Sequence, residues 1–369
     1  MADIYDVCVV GAGIEGSSTG RYAASRGKKT LLLEQFHLPH SRGSSHGTTR
    51  LVRHGYPSDV FANLMPEAFE IWSDVEKIAG KELIKRVGLF STEVAPLNQL
   101  KSLATNVQNL GVPCEILSSA DIKRKFPTFK LQGYEGTFEP QGGFILANQA
   151  LSAMQRQFVQ FGGKLSDGEK VTKIEPGSVV LIHTTKNVYR AKSVIITAGK
   201  LWRALLTYWK PTNPEKFSIE SGFPGFIIYG VEDHDHVYGF PVFEYPGLLK
   251  VCHHGGIEIS SPEAREEARK NEKFVERVSK FVTDHFDGIE PVPKIIEPCI
   301  YTITPDDSFV LDHHPSHKNI VIGAGFSGHG FKMAPLVGKI LSQLALGETP
   351  SYDMRPFRIS RFSNLKSNL

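Results

Sequence analysis

Residues 4–34 read IYDVCVVGAGIEGSSTGRYAASRGKKTLLLE, and this stretch decides the fold. A short apolar run ends at Gly11, and a helical pattern follows from about Glu15. A second apolar run, Thr30 to Leu33, ends at Glu34. A strand, a Gly-rich turn, a helix and a second strand in this order are typical of a βαβ unit. We therefore predict an α/β fold that opens with a Rossmann-like unit.

Three glycines in VVGAGIEG have the spacing of a dinucleotide-binding turn. Gly11 permits the tight turn, Gly13 lets a pyrophosphate approach the backbone, and Gly16 lets helix and strand pack closely. The free N–H groups and the dipole of the helix N-terminus favour phosphate. Glu34, which ends the second strand, is placed to accept a hydrogen bond from a ribose hydroxyl. The motif predicts a dinucleotide cofactor but does not distinguish FAD from NAD.

Two more apolar strands end in glycine. They are VIITAG, which ends at Gly199, and NIVIGAGFSGHG, whose glycines run from Gly323 to Gly330. A cofactor that touches several strand ends must be long, whereas an NAD-dependent dehydrogenase usually keeps its nucleotide-binding unit contiguous. The pattern favours FAD, with an NAD-dependent dehydrogenase as the alternative.

The composition indicates a globular protein with a small-molecule partner. The chain has 369 residues, more than most single cores contain, so two domains are expected. Its formal net charge is only +3, and no Lys/Arg block with interleaved aromatics is present. No nucleic-acid partner is therefore expected.

The cysteines and the N-terminus bear on metals and on the compartment. The four cysteines lie far apart without a CxxC pair, and adjacent His253 and His254 would point to opposite faces of a strand, so no metal site is predicted. Asp3 and Asp6 stand where a signal peptide would be basic, and no apolar run approaches the roughly 20 residues of a membrane span. We expect a reducing compartment and no membrane partner.

Five motifs spread over almost the whole chain carry a family resemblance. They are GAGIEG…LLLEQF near the N-terminus, LPHSRGSSHGTTRLVRHGY (38–56), VYGFPVFEYPGLLKV (237–251), CIYTITPDDSFVLDHHP (299–315) and GAGFSGHGFKMAP (323–335). Together they resemble the monomeric sarcosine oxidase family, most of all its peroxisomal sarcosine and L-pipecolate oxidases of animals. The resemblance implies a FAD-dependent amine oxidase that oxidises such a secondary amino acid with O2, giving an imine or aldehyde product and H2O2.

The resemblance also implies FAD bonded through a cysteine sulfur to the 8α-methyl group of the flavin. Cys299 matches this attachment point. Bond formation requires a thiolate, which nearby positive charge would favour. Besides the glycine turn and Glu34, the positions implied to contact the cofactor are Ser45, His46, Val171, Gly328, Gly330 and Lys332.

Four positions match the family's catalytic residues, namely Lys250, Arg50, His254 and Tyr301. Lys250 matches a lysine near flavin N5 that accelerates the reaction with oxygen. A lysine on a strand points inward or outward, and the pattern alone leaves both open.

Substrate binding is implied for Arg53, Lys332, Tyr56 and Tyr238. Arg53 matches the arginine that grips the substrate carboxylate, and Lys332 shares this grip. A planar guanidinium holds a carboxylate through two parallel hydrogen bonds, although an ordinary surface arginine is the alternative. Three cations in one site would favour a deprotonated substrate amine, so no side-chain general base is predicted.

The order of strand-like and helical segments predicts two interleaved domains. A Rossmann-like FAD-binding domain is expected over residues 1–84, 143–206 and 305–369. A substrate domain on a mixed, largely antiparallel sheet is expected over residues 85–142 and 207–304. The protein is expected to be a monomer.

The segment after Leu206 departs from the family. The chain passes directly from VIITAGKLWRALL to TYWKPTNPEKF, where relatives have a connection longer by about twenty residues, roughly a strand and its loop. Loss of a strand would leave unpaired sheet edges. A flavin-binding protein of low activity is therefore a further alternative.

The last three residues, Ser367, Asn368 and Leu369, loosely match the S-K-L address that a peroxisomal import receptor reads. Asparagine in the middle position departs from that tripeptide, and an ordinary frayed tail is the alternative. We expect the peroxisome, or otherwise the cytoplasm.

Overall fold

A computed structural model describes residues 3–197, 202–231, 235–255, 257–258 and 272–362 of the chain. Its helices are α1 (Ile14–Ser25), α2 (Asp59–Ala79), α3 (Asn98–Asn109), α4 (Ser119–Lys125), α5 (Ala147–Gln160), α6 (Glu272–His285) and α7 (Gly330–Ala345). Its strands are β1 (Ile4–Val10), β2 (Thr30–Leu33), β3 (Thr49–Val52), β4 (Ile84–Lys85), β5 (Leu89–Val94), β6 (Glu115–Leu117), β7 (Tyr134–Glu139), β8 (Gly143–Leu146), β9 (Lys164–Ser166), β10 (Val171–Glu175), β11 (Val180–Thr184), β12 (Val188–Ile196), β13 (Trp202–Trp209), β14 (Gly225–Val231), β15 (Asp235–Tyr245), β16 (Leu248–His254), β17 (Ile257–Glu258), β18 (Ile295–Tyr301), β19 (Val310–His314) and β20 (His317–Ala324). Short 3-10 helices cover Pro214–Phe217, Arg355–Phe357 and Ile359–Phe362.

The first sheet contains the predicted βαβ unit. Strand β1 lies between β2 and β12, all parallel, and β20 pairs in parallel with the carboxyl half of β12. Helix α1 begins at Ile14, directly after the glycine turn, and packs against α5 and α7. The turns after β1 and β20 therefore lie at one edge of this sheet, where nucleotides bind in such folds. The glycine turn at Gly199 lies outside the described residues.

The second sheet has nine strands among the described residues, in the order β17-β13-β16-β15-β14-β5-β7-β6 with β18 beside β13. All its neighbours are antiparallel except β14 and β5. The expected mixed, largely antiparallel sheet is thus confirmed. An aromatic core that includes Phe129, Phe226 and Phe286 packs on this sheet, together with Val278 and Phe281 of α6.

The shortened segment after Leu206 forms part of one continuous strand, β13. Seven of its residues pair with β18, from Trp202 opposite Tyr301 to Tyr208 opposite Ile295. On its other side β13 pairs with β16 and β17. The unpaired edge expected here is therefore not seen in the part of β13 that the structure describes. The predicted domain boundary between residues 206 and 207 falls inside this strand, and the division into domains stays a prediction.

A small third sheet has the strand order β3-β8-β4, with antiparallel neighbours. Strand β3 follows the loop 38–48 and brings Thr49 and Arg50 to the space between the sheets. None of the described helices is both long enough and apolar enough to cross a membrane. Residues 363–369, with the Ser-Asn-Leu tail, lie outside the described residues.

Candidate active site

One cavity of about 820 Å³ runs between the edge of the first sheet and one face of the second. It brings together most of the predicted site residues although they come from five distant parts of the chain. The predicted residues that line it are Gly11, Gly13, Gly16, Glu34, Ser45, His46, Arg50, Arg53, Tyr238, Lys250, His254, Cys299, Tyr301, Gly328, Gly330 and Lys332.

Two predicted residues do not line this cavity. Val171 is partly buried on β10, opposite Thr184, and packs on the core below the first sheet. Tyr56 is buried behind the cavity wall, where its ring lies under the Arg53 guanidinium at 4.4 Å and under Lys332 Nζ at 5.4 Å. Tyr56 can therefore act on the cavity through these two cations, whereas Val171 gives no side-chain contact to it.

The turn after β1 has the geometry that the glycine spacing predicts. Gly11 has φ +101°, a conformation that strongly favours glycine. A Cβ atom on Gly16 would lie 1.9 Å from the Gly11 carbonyl oxygen, so helix α1 touches the turn only because residue 16 is glycine. A Cβ atom on Gly13 would lie 3.0 Å from Ser45 Oγ. The turn and Glu34 form what we call the nucleotide end of the cavity.

Side chains hold this turn in place from two sides. Glu34 accepts hydrogen bonds from the backbone N–H of Ala12 at 2.9 Å and of Phe36 at 3.1 Å. Ser45 Oγ accepts from the N–H of Ile14, in the first turn of α1, at 2.9 Å. These bonds fix the start of the helix, whose remaining N–H groups favour phosphate.

Arg50 folds the loop 43–49 around itself. Its guanidinium donates to the carbonyl oxygens of Ser44 at 3.0 Å, of Thr49 at 2.8 Å and of His46. Burial alone would lower the pKa of Arg50, but Cys299 and the nearby tyrosines, together with Glu244, hold it above the usual value. The Cys299 sulfur thus lies within the electrostatic field of the Arg50 guanidinium.

Cys299 lies on β18 with its side chain buried against Leu206, Tyr208 and Cys252. Burial raises the pKa of Cys252 to about 11. Burial also raises the pKa of Cys8, in the core against the first sheet, and does so by more. Those two thiols are structural. Of these three buried cysteines, Cys299 alone is both cavity-lining and close to Arg50.

Two buried basic side chains, those of Arg53 and Lys332, face the cavity. Arg53 is 4% exposed and donates to Tyr229 Oη, while its Nε has no partner. Lys332, 7% exposed, follows the N-terminus of α7. Neither forms an ion pair with a carboxylate in the described part of the chain. Burial and then the charge of Arg53 lower the pKa of Lys332 well below its usual value. An anion in the cavity would satisfy both groups.

Three neutral imidazoles stand beside these cations. His236 stacks on His254 with ring centroids 4.3 Å apart, and His329 lies 6.2 Å from His254. Burial, followed by the charge of Lys332, lowers the pKa of His254 to about 4. Burial also lowers the pKa values of His236 and His329 well below normal. These rings are uncharged at neutral pH and can supply hydrogen bonds without adding positive charge.

Lys250 points inward, which settles the orientation that its strand left open. The side chain is nearly fully buried, and Nζ donates to Glu244 Oε1 at 2.7 Å and to Thr49 Oγ1 at 3.3 Å. Glu244 also accepts from Thr49 Oγ1 and, at 2.7 Å, from Tyr208 Oη. Burial raises the pKa of Glu244, but Lys250 and these hydrogen bonds bring it below the usual value. We call Arg53, Lys332, Lys250 and Glu244 the charged end of the cavity.

Several residues of this site carried no usable signal in the sequence. Glu244 and the histidines His236 and His329 meet the predicted residues only through the fold. Glu15 lies inside the glycine motif, yet its buried carboxyl lines the cavity with Oε2 unpaired, and burial raises its pKa well above normal. In the sequence, only the position of Glu15 beside the expected phosphate site indicates that it could lie in the cavity.

Comparisons with known proteins agree with this geometry. The family model "FAD dependent oxidoreductase" matches residues 6–344. Peroxisomal sarcosine oxidase of Homo sapiens is 44% identical over 382 residues, covering 98% of this chain and 97% of the relative. N-methyl-L-tryptophan oxidase of Salmonella typhi is 30% identical, covering 97% and 99%. L-proline dehydrogenase from P. horikoshii superposes with a TM-score of 0.82 at 18% identity, covering 98% and 99%, which shows a shared fold.

The fold, the glycine turn and the family match make this chain an FAD-dependent oxidoreductase. Within that class it belongs to the sarcosine oxidase family, as its motifs predict. It is an amine-oxidising flavoenzyme, and the NAD-dependent alternative is not supported.

Proposed function

We propose that the protein oxidises a small secondary amino acid, such as sarcosine or L-pipecolate, with FAD bonded to Cys299 and O2 as electron acceptor. The observation that carries this proposal is the pair of buried basic side chains, Arg53 and Lys332, which line the same cavity as the glycine turn and have no carboxylate partner among the residues that the structure describes. The high identity to peroxisomal sarcosine oxidases supports the substrate class.

The residues present fit FAD. The glycine turn has no room for a side chain at Gly16, and the turn lines the cavity together with the first residues of α1. Their backbone N–H groups, other than those already bonded to Glu34 and Ser45, would hold the pyrophosphate. Glu34 would accept from the ribose, and Cys299 would be bonded to the flavin. When bound, FAD supplies the acceptor for hydride from the C–H bond beside the amine nitrogen and passes two electrons to O2.

Arg53 and Lys332 would bind the substrate carboxylate. The free Arg53 Nε and the buried Lys332 Nζ both gain a partner when an anion enters. The positive charge disfavours a protonated amine, and the neutral histidines beside it leave this balance unchanged. The substrate would thus bind with a free lone pair on nitrogen, so the chain needs no side-chain general base.

Lys250 would promote the step with oxygen. Its ammonium group lines the cavity and is held in place by Glu244 and Thr49. A fixed cation at this position stabilises the negative charge that O2 gains on accepting electrons. The substrate and oxygen would therefore use different cations of the charged end.

The attachment to Cys299 is tested by acid denaturation of the purified yellow protein. We expect the flavin colour and mass to stay with the polypeptide, and to leave it in Cys299→Ser. The matched control is Cys252→Ser, which removes a buried thiol on strand β16, on the other side of β13 from β18, and should keep the flavin attached. Release of all flavin from the unmodified protein would overturn the attachment.

The substrate class is tested by peroxide release. Sarcosine, L-pipecolate, N-methyl-L-tryptophan and glycine are each supplied with air, and H2O2 is measured. We expect turnover with the first two, because the cavity wall beside Arg53 is lined by rings of Tyr238, His236 and His254. Turnover with glycine alone would contradict a preference for secondary amines.

We also propose a monomeric, peroxisomal protein, on the strength of the Ser-Asn-Leu tail and of the peroxisomal relatives. A fluorescent protein that ends in the last ten or so residues of this chain should reach peroxisomes. Cytosolic fluorescence would leave the tail without an import function. Light scattering of the purified protein should give the mass of one chain, 40.9 kDa.

A further inference from the structure

The charged end contains a carboxylate that the proposed reaction does not use. Glu244, at the end of strand β15, has a side chain that is only 6% exposed and is held by Lys250, Thr49 and Tyr208, and it does not line the cavity. Lys250 and Thr49 both face the cavity in front of it. Glu244 therefore stands directly behind the lysine that the proposed function assigns to the oxygen step.

We propose that Glu244 is a positioning residue that supplies the buried counter-charge of Lys250 and directs its ammonium group into the cavity, and so sets the reactivity of the enzyme with O2. This inference rests on the proposed function, in which O2 takes up two electrons and two protons to form H2O2. The main observation behind the inference is the ion pair between Glu244 Oε1 and Lys250 Nζ, at 2.7 Å.

Burial makes the carboxylate necessary. Both partners of this ion pair are almost entirely removed from solvent, with exposed side-chain fractions of 3% for Lys250 and 6% for Glu244. An isolated ammonium group in such a place would be expelled or would lose its proton. Lys250 Nζ also lies over the rings of Tyr208 and Phe240, at 5.5 and 5.4 Å, which confine it further.

The groups around the pair come from three strands, β3, β13 and β18. Thr49 on β3 and Tyr208 on β13 donate to Glu244, and Arg50 lies close enough for its charge to act on it. Glu297 on β18 accepts from the Tyr208 hydroxyl at 3.3 Å. In the described part of the chain, Lys250 forms its ion pair with Glu244 and with no other carboxylate. Removal of Glu244 therefore leaves the ammonium group without a buried counter-charge.

The position of Tyr208 connects this network to the shortened segment. Tyr208 lies opposite Lys250 in the pairing of β13 with β16 and follows Leu206 by two residues. The same strand pairs Ala204 with Cys299. The position of β13 in the sheet therefore determines both the contacts around Lys250 and the pairing of β18, the strand that contains Cys299.

The test compares Glu244→Gln with Lys250→Met in the flavin-loaded enzyme. For Glu244→Gln we expect kcat/KM for O2 to fall about 10- to 100-fold at pH 8. This is the range typical of removing a residue that hydrogen-bonds to a metal ligand, and Glu244 supports Lys250 in a comparable way. The loss should shrink at lower pH, where the lysine is reprotonated. The rate of anaerobic flavin reduction by sarcosine should stay close to that of the unmodified enzyme. Glu244→Asp, which keeps the charge, should recover part of the O2 reactivity.

A spectrum provides a readout that is independent of turnover. The visible absorption of the oxidised flavin should change with a single proton between pH 6 and 9 in Glu244→Gln, as the nearby ammonium group loses its charge. The change should be absent in the double variant Glu244→Gln/Lys250→Met. That variant removes both charges of a buried pair, which proteins often tolerate without loss of stability. If Glu244→Gln alone does not fold, Glu244→Asp decides by its O2 reactivity.

Three outcomes would overturn the inference. If Lys250→Met reacts with O2 as fast as the unmodified enzyme, the proposed role of Lys250 fails and the inference fails with it. If Lys250→Met is slow but Glu244→Gln, or Glu244→Asp in its place, reacts normally at every pH, only the inference fails. If Glu244→Gln slows both half-reactions equally and the aspartate variant recovers nothing, Glu244 is purely structural. Absence of flavin reduction by any secondary amino acid would instead refute the proposed function itself.

Discussion

The two ends of the cavity are built in different ways. At the nucleotide end the backbone would do the binding, because Glu34 and Ser45 hold in place a glycine turn that lines the cavity. At the charged end buried side chains would do it, since Arg53 and Lys332 face the cavity and neither pairs with a carboxylate among the described residues. On the proposed function, the first end would hold a cofactor that stays bound and the second a substrate that is exchanged in each turnover.

This difference predicts which substitutions affect which step. Changes at the nucleotide end should reduce retention of FAD and protein stability. Changes at the charged end should leave the flavin bound but alter substrate binding, pH dependence or the reaction with O2.

The largest effect is expected at Arg53. Arg53→Met leaves the substrate carboxylate with Lys332 alone, and loss of one partner of a buried charge pair costs about 2–4 kcal/mol, or roughly 30- to 1,000-fold in kcat/KM. Steady-state kinetics with the preferred amino acid measures it. Arg53→Lys is the matched control, because lysine keeps the positive charge but cannot form the bidentate hydrogen bond with a carboxylate. An unchanged kcat/KM in the methionine variant would show that the carboxylate binds elsewhere.

A smaller effect is expected from protonation of His254. Its pKa in the folded protein is about 4, against about 6.5 when unfolded, so the unfolded chain binds the proton first as the pH falls. The free energy of unfolding should therefore drop between pH 6.5 and pH 4, by up to about 3 kcal/mol. His254→Asn should remove this part of the acid sensitivity, measured by urea unfolding at several pH values.

A neighbouring histidine provides the control for this experiment. Burial also lowers the pKa of His253 to about 4, but His253 does not line the cavity and its ring contacts Phe274 instead. His253→Asn should relieve acid sensitivity to a similar extent without changing substrate binding. Equal acid sensitivity of the unmodified protein and both variants would contradict the buried, neutral state of these rings.

At the nucleotide end, Gly16→Ala tests the close approach of α1 to the turn. Its Cβ atom would meet the Gly11 carbonyl oxygen at 1.9 Å, so the backbone must shift, at a cost of about 1–3 kcal/mol. Gly20→Ala, one turn further along α1, is the matched control because the atoms nearest to its Cβ belong to the Phe158 side chain, at 3.2 Å or more, and not to the backbone. The midpoint temperature of thermal unfolding and the flavin content per chain should both fall in Gly16→Ala but not in Gly20→Ala. Equal values for both variants would show that the turn tolerates a side chain.

The same comparison explains what could be predicted from the sequence. The strand, turn and helix from Ile4 to Ser25 were predictable because glycine spacing and apolar periodicity are local. The position of Cys299 on a strand was also predictable. The inward direction of Lys250 and its pairing with Glu244 were not, because a strand pattern does not say which face is buried.

Most features of the site that could not be predicted from the sequence are contacts between residues far apart in the chain. Thr49 and Glu244 are 195 positions apart and Lys250 and Thr49 are 201 apart, so nothing in the local pattern joins them. Val171 and Tyr56 were expected at the site by resemblance, and the fold places Val171 on an outer strand and Tyr56 behind the cavity wall. The unpaired edge expected after Leu206 is filled because β13 pairs with β18 on one side and β16 on the other.

The most direct measurement of the central claim is anaerobic mixing of the flavin-loaded protein with a secondary amino acid. We expect sarcosine or L-pipecolate to bleach the visible flavin absorbance, and air to restore it with release of H2O2. Dimethylamine and piperidine, which have the amine but not the carboxylate, should bleach it far more slowly because they cannot use Arg53 and Lys332. Equal bleaching by the amines without a carboxylate, or none by any secondary amino acid, would contradict the account.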